Sequence, residues 1–345
     1  MNSSQTKVAV IGASGYAGEE LVRLLLQHPF VELTTVTSRQ YADRSLAEIY
    51  PRFAHLPKAQ KLIFAELDAT RISNASDVVF LALPHGVSAE AAADFVGLGT
   101  KIIDLSADFR LKDEQVYSEF YGKKHAAPGL LKVAVYGLPE LHREEIKGGS
   151  LIACPGCYPT SVLLPLAPVL RAKVIDPARI IVASLSGVTG AGRKTEAEYL
   201  FAECNESVRP YGVPKHRHLA EIEQEIAGIT GKPEAVQFTP HLVPVNRGIV
   251  STIFTDLAGK ADAIDRIFND AYGREPFVRL LGDKSLPDTK NVAGTNFVDL
   301  AWRIDPRTNR LILMSAIDNL TKGTSGQAIQ CMNLMRGYEE TAGLL

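Results

Sequence analysis

Through the first 155 residues, short apolar runs ending in turns alternate with stretches of helical spacing. Residues 7–11 (KVAVI) have the pattern of a buried strand, and residues 19–27 repeat apolar side chains (Leu21, Val22, Leu25) at helical intervals up to Pro29. Residues 31–37, 77–83 and 101–105 are further strands. The run DVVFLAL at 77–83 is apolar throughout, as expected of a strand covered on both faces in a parallel sheet. An Ala-rich helix is expected at 87–96. This alternation predicts a doubly wound α/β domain, in which loops beyond the carboxyl ends of the strands line the ligand crevice. From about residue 179 the pattern changes. Residues 179–187, 235–245, 249–257, 297–304 and 310–318 read as strands with few helices between them. Val298, Leu300, Trp302 and Ile304 alternate with Asp299, Ala301 and Arg303, as on a sheet with one covered face. A mixed or antiparallel sheet is expected, with an exposed face suited to a subunit interface. A final apolar helix to about residue 340 is expected to return to the first domain.

The first strand runs directly into GASGYAG (residues 12–18) and then the first helix. Strand, glycine turn and helix in this order form a dinucleotide fingerprint. Gly12 would permit the tight turn, Gly15 the close approach of a pyrophosphate and Gly18 the contact of helix with strand. The second strand ends Thr37-Ser38-Arg39, where an NAD enzyme usually places an acid for the ribose hydroxyl. Hydroxyls and a cation there suit a 2′-phosphate, so NADP is the expected cofactor. The loops Pro84-His85-Gly86 and Ser106-Ala107-Asp108-Phe109-Arg110 also follow strands. Arg110 is a candidate anion clamp, or else a structural partner of Asp104 or Asp108.

In LIACPGCYPTSVLLPLAPVL (residues 151–170), a strand end and a Pro-Gly turn precede Cys157, and Pro159 fits the first turn of a helix. The sulfur would sit at a helix N-terminus, where unpaired N–H groups and the dipole favour the thiolate. A buried, inert cysteine is the alternative. Pro165 and Pro168 predict that the helix kinks or stops early. Ser186 to Lys194 (SGVTGAGRK) is a glycine loop whose N–H groups and Arg193 could hold an anion, or a flexible surface turn. His216 and His218 open another helix, with Leu219, Ile222 and Ile226 on its apolar side. An imidazole is the side chain suited to serve a thiol near neutral pH. Cys154 and Cys157 form one C-x-x-C pair, and no convincing ligand set for a metal accompanies them or the histidines.

Composition narrows the class. Of 345 residues, 46% are hydrophobic and 22% charged, with net charge −2 and no basic tract, which argues against nucleic-acid or anionic-membrane partners. No signal segment and no apolar run of membrane length is seen. Four cysteines in so long a chain point to a reducing cytoplasm.

GASGYAGEEL, DLSADFR, PGCYPT, SGVTGAGRK, HRH and DNLTKGTSGQAIQ together resemble the N-acetyl-γ-glutamyl-phosphate reductases, within the wider aspartate-semialdehyde dehydrogenase superfamily. The resemblance implies a Rossmann-type NADP-binding domain over 1–155, with the C-terminal 320–345 packing back on it. An α+β catalytic and dimerisation domain with a mixed sheet would span 156–319. It implies a homodimer or homotetramer acting on a small acyl phosphate through a Cys157 thioester. His218 would be the acid/base and His216 a substrate contact, with the two roles exchangeable. Ser106 and Arg110 would face the phosphate and Arg193 a carboxylate. Gly12, Ala13, Ser14, Gly15, Tyr16, Ala17, Gly18, Ser38, Arg39, Pro84, Ser186, Gly187, Asn319 and Gly323 would serve the cofactor, Asn319 near the nicotinamide. The family usually has Asn three residues before the catalytic cysteine; here Cys154 stands there.

Overall fold

The computed structural model describes residues 5–193, 195–258 and 263–345, so Lys194, at the end of the 186–194 loop, lies outside the described residues. The chain divides into two units, Met1–Pro155 with Thr324–Leu345, and Gly156–Gly323.

The first unit holds β1 (Thr6–Ile11), β2 (Val31–Thr37), β3 (Phe64–Ala65), β4 (Val78–Leu81), β5 (Lys101–Asp104), β6 (Ala134–Tyr136) and β7 (Leu151–Ala153). All pair in parallel, in the order β3-β2-β1-β4-β5-β7-β6. Strand order reverses between β1 and β4, and the crevice beyond their carboxyl ends is where such sheets bind ligands. Val8–Ile11 and Val78–Leu81 are wholly buried, which accounts for their unbroken apolar sequence. β3 and β6, only two and three residues long, carry too little periodicity to be read from sequence. The closing helix, Gly326–Arg336, is buried from Gly326 to Met335. It ends at Gly337, in the left-handed conformation (φ +68°), rather than near residue 340 as its apolar pattern suggested.

The second unit is built on β8 (Ile181–Gly187), β9 (Arg209–Pro210), β10 (Gln237–Val243), β11 (Ile249–Asp256), β12 (Val278–Gly282), β13 (Val298–Asp305) and β14 (Arg310–Ile317). The order is β12-β13-β14-β11-β8-β10-β9. β8 with β10 and β12 with β13 are parallel and the other neighbours antiparallel, so the sheet is mixed. Along β11 buried residues (Ile249, Ser251, Ile253, Thr255) alternate with half-buried ones (Val250, Thr252, Phe254, Asp256), the mark of one covered face. On β8 Ile181 and Leu185 are exposed.

The helix Cys157–Arg171 packs on β11 and β14 and against the helices Arg217–Thr230 and Ile264–Tyr272. It runs fifteen residues through both prolines, contrary to the expected early stop. A proline in a helix interior costs about 3 kcal/mol, because its ring crowds the carbonyl four residues earlier and leaves that carbonyl without an N–H. Here each orphaned carbonyl finds a hydroxyl. Ser315 Oγ donates to the Ser161 carbonyl at 2.6 Å, replacing the N–H missing at Pro165. Tyr272 OH donates to the Leu164 carbonyl at 2.8 Å, replacing that of Pro168. Among the described residues no helix is long and apolar enough to cross a membrane.

Candidate active site

The glycine turn after β1 has the form of a phosphate cradle. Gly12 has φ +83°, and a Cβ there would lie 2.5 Å from the Ala82 carbonyl oxygen. A Cβ on Gly18 would lie 2.4 Å from the Gly12 oxygen, so only glycine lets the helix Tyr16–Gln27 come this close to the strand. At Gly15, the N-cap of that helix, the nearest atom would be 3.9 Å away. Space is thus left open at the helix start, the setting an anion requires. Ala13, Ser14, Tyr16 and Ala17 complete the turn. Ala13 N–H donates to the Thr37 carbonyl, and Ser38 Oγ to Ser14 Oγ at 2.9 Å. Ala17 receives Ser325 Oγ from the closing segment. Arg39 is exposed past the end of β2, with no acid beside it in sequence. These residues fit NADP.

The loops after β4 and β5 are held by buried polar groups. Asp108, wholly buried, accepts from the N–H of Gly86 and Ala89 and from Tyr117 OH, and so caps the helix Val87–Gly97 that follows Pro84. Asp104 accepts from Ser88 Oγ (2.5 Å) and Ser106 Oγ (2.7 Å). Its burial pushes its pKa up to about 6, against the pull of those hydroxyls. Arg110, itself buried, donates through Nε to the Cys154 carbonyl (2.6 Å) and through Nη2 to that of Leu105 (2.8 Å). It therefore ties the strand end before the cysteine turn to its own loop.

In the second unit, Gly156 is the N-cap of the helix Cys157–Arg171, and Cys157 is its half-buried first residue. The thiol is thus at the positive end of the dipole. Two glycines give it space. A Cβ on Gly156 would lie 2.5 Å from His218 Nε2, so the imidazole rests directly on the residue before the cysteine. A Cβ on Gly323 would lie 2.9 Å from Cys157 Cβ. Gly156 N–H donates to the Glu221 carboxylate at 2.8 Å, and Glu221 is buried three residues beyond His218 on the same helix. Sequence reading missed Gly156, Glu221, Tyr158 and Tyr211. An acid three residues from a histidine at a helix start was the available signal for Glu221.

His216 lies beside this group. It is the N-cap of the helix Arg217–Thr230, its Nδ1 accepting the His218 N–H at 3.1 Å. The rings of Tyr158, Tyr211, His218 and Phe238 surround it at centroid distances of 4.9 to 5.6 Å. Burial, and then the charge of Arg217, lower its pKa to about 4, so it is neutral at pH 7 with the remaining ring proton on Nε2. Tyr158 and Tyr211 share a hydroxyl hydrogen bond of 2.8 Å, and burial raises both phenols well above the usual range.

The loop after β8 closes the same unit. Gly187 passes within van der Waals reach of the Val245–Asn246 backbone, where a Cβ would lie 2.8 Å from the Val245 oxygen. Ser186, buried, has its Oγ on the Gly187 carbonyl. Asn319 is also buried; its Nδ2 donates to Thr189 Oγ1 (2.9 Å) and its Oδ1 accepts Gly248 N–H (2.8 Å), joining this loop to the 245–248 turn. Arg193 is exposed at the loop end.

Residues 7–149 match the family model described as the semialdehyde dehydrogenase NAD binding domain, and residues 157–319 the semialdehyde dehydrogenase dimerisation domain. The N-acetyl-gamma-glutamyl-phosphate reductase of Akkermansia muciniphila is 53% identical over 343 residues, 99% of each chain. This chain belongs to the N-acetyl-gamma-glutamyl-phosphate reductase family. The reductase of that name from Geotalea daltonii is 48% identical over 98% of this chain and 97% of its own. Among solved structures, aspartate semialdehyde dehydrogenase II of Vibrio cholerae, complexed with ASA, aligns over 97% of this chain and 99% of its own, with TM-score 0.75 and 18% identity. The Candida albicans aspartate semialdehyde dehydrogenase with NADP aligns over 96% and 99%, with TM-score 0.73 and 17% identity. At that distance the likeness is one of fold, and it covers the parallel sheet and the mixed sheet of this reductase-family chain alike.

Proposed function

We infer that this chain reduces N-acetyl-γ-glutamyl phosphate to N-acetylglutamate 5-semialdehyde and phosphate, using NADPH, in arginine biosynthesis. The observation that carries the mechanism is Cys157 at its helix N-terminus with the His218 ring seated on Gly156. The Cys157 thiolate adds to the acyl carbon. As the tetrahedral adduct collapses, the bond from carbon to the phosphate oxygen breaks and His218 delivers a proton to that oxygen, leaving a thioester. NADPH supplies the hydride that brings this carbon to the aldehyde level. The resulting alkoxide on Cys157 expels the thiolate and releases the semialdehyde, so the sulfur returns to its starting charge. Dividing one difficult substitution into two steps is what a covalent nucleophile contributes.

His216, neutral and capping the helix, is a substrate contact through its Nε2–H rather than the proton carrier. Ser106 and Arg110 serve the phosphate, Arg110 by its charge since its Nε and Nη2 are bound to carbonyls. Arg193 serves a carboxylate. Gly12–Gly18 and Ser38, Arg39 and Pro84 hold NADP within residues 1–155, which act with 320–345 as the cofactor domain. Ser186, Gly187 and Asn319 shape the cofactor side of the catalytic domain, residues 156–319, and Gly323, which folds with that unit, serves the same side. That domain pairs in a homodimer or homotetramer through the open sheet face bearing Ile181 and Leu185. The enzyme works in the cytoplasm, where its free thiols persist.

The test is phosphate-dependent NADP reduction with N-acetylglutamate semialdehyde, run beside aspartate semialdehyde and an N-protected aminoadipate semialdehyde. Turnover of the first in preference to the others is expected. Preference for either of the others would assign a sister reductase.

A further inference from the structure

The helix that begins with Cys157 lacks two rungs of its own ladder, at Pro165 and Pro168, and both are filled from other elements. Ser315 belongs to a row of serines crossing the sheet. Ser184 of β8, Ser251 of β11 and Ser315 of β14 are cross-strand partners, and all are wholly buried. Ser161, one turn beyond Cys157, meets this row twice. Its carbonyl accepts from Ser315 Oγ, and its Oγ lies 2.7 Å from Ser251 Oγ, which lies 2.7 Å from Ser184 Oγ. Ser161 Oγ donates its single proton to the Tyr158 carbonyl (2.9 Å). It therefore accepts from Ser251, which in turn accepts from Ser184, and the hydroxyl chain has one consistent direction.

A proline inside a helix frees a carbonyl and weakens the ladder at that point, so what else holds that carbonyl bears on where the helix end stands. We propose that Ser315 and Tyr272 are positioning residues for Cys157. By holding the Ser161 and Leu164 carbonyls they let the sheet and the helix Ile264–Tyr272, not the ladder of the cysteine helix, set where the sulfur stands. This rests on Cys157 being the nucleophile. The device also explains why serines, rather than apolar residues, cross the covered face of the sheet beneath this helix.

The experiment compares Ser315→Ala, Pro165→Ala and the double variant, with Tyr272→Phe and its partner Pro168→Ala as a second pair. Two readouts are taken: the pH profile of Cys157 alkylation by iodoacetamide, followed by peptide mapping, and kcat with KM. Ser315→Ala is expected to shift the alkylation midpoint upward and lower kcat roughly tenfold, with KM moving less, as for a misplaced reacting group. Pro165→Ala restores an N–H to the Ser161 carbonyl, so the double variant is expected to recover both. An unchanged alkylation profile in Ser315→Ala, or a double variant as impaired as the single one, would overturn the proposal. Should Ser315→Ala fail to fold, Tyr272→Phe, which loses one oxygen, decides by the same criteria with Pro168→Ala as its rescue. If wild-type protein lacks phosphate-dependent NADP reduction, the reductase reading fails, whereas the alkylation series still decides the positioning role.

Discussion

The loops after β4 and β5 in the first unit and the ring cluster around His216 in the second handle buried polar groups differently. In the first, charge is taken inside and used for construction: Asp104, Asp108 and Arg110 are buried and bound to backbone or hydroxyl groups of the loops after β4 and β5. The second unit buries charge too, Glu221 on the Gly156 N–H among it, but the ring cluster beside Cys157 is neutral. His216 is kept uncharged within aromatic rings, and hydroxyls rather than ions repair the cysteine helix. Buried charge makes rigid loops but titrates with large effects on stability. A thiol that must change charge during a reaction gains from neighbours that do not respond to it.

The cysteines at positions 154 and 157 break the comparison most sharply. Cys157→Ser should lose roughly 10³-fold or more in kcat, since removing a nucleophile disables the whole covalent route. Cys154→Ser, in the first unit, should retain the reaction and its phosphate dependence. Equal loss in both would erase the distinction between units. His218→Asn comes next, with an expected loss of about 10²–10⁴-fold in kcat/KM and a missing limb in the pH–rate profile. A substitution at His216, already neutral at pH 7, should leave that limb in place.

Stability against pH gives the third effect. Asp104 has its folded pKa raised from 3.8 to about 6, so its contribution is present below pH 3.8 and lost as pH rises through 6. Relative to wild type, Asp104→Asn should be unchanged near pH 4 and gain up to ~3 kcal/mol at pH 7, read from urea unfolding. His216, lowered from 6.5 to about 4, has the opposite sign: its contribution is present above pH 6.5 and lost as pH falls to 4. His216→Asn should therefore gain on wild type only as the solution is acidified. Parallel curves for the two variants would refute the opposite signs assigned to these two groups. The smallest effect is at Arg39: its change to Ser should raise KM for NADPH about tenfold and spare NADH, the loss of one charge-assisted phosphate contact.

Local signals carried much of the fold and part of the site. The strand, glycine turn and helix of residues 6–27, and a thiol at a helix start after a Pro-Gly turn, are each written within a few adjacent residues. What was not legible depends on partners far along the chain. Ser315 lies 154 residues from Ser161, and Tyr272 lies 108 from Leu164, so the prolines at 165 and 168 read as breaks when viewed alone. The Arg110 bond to the Cys154 carbonyl and the Glu221 bond to Gly156 N–H have the same character. Gly323, expected from resemblance to serve the cofactor, proves to lie against Cys157 itself, a relation visible only when positions 157 and 323 are brought together.

The two glycines bordering Cys157 set a limit on redesign. A methyl group at residue 156 would displace an imidazole, and one at residue 323 would collide with the base of the cysteine side chain. Libraries aimed at new acyl groups should therefore leave both codons untouched and draw their diversity from the exposed residues 195–198 and 201–203, where added bulk meets solvent first.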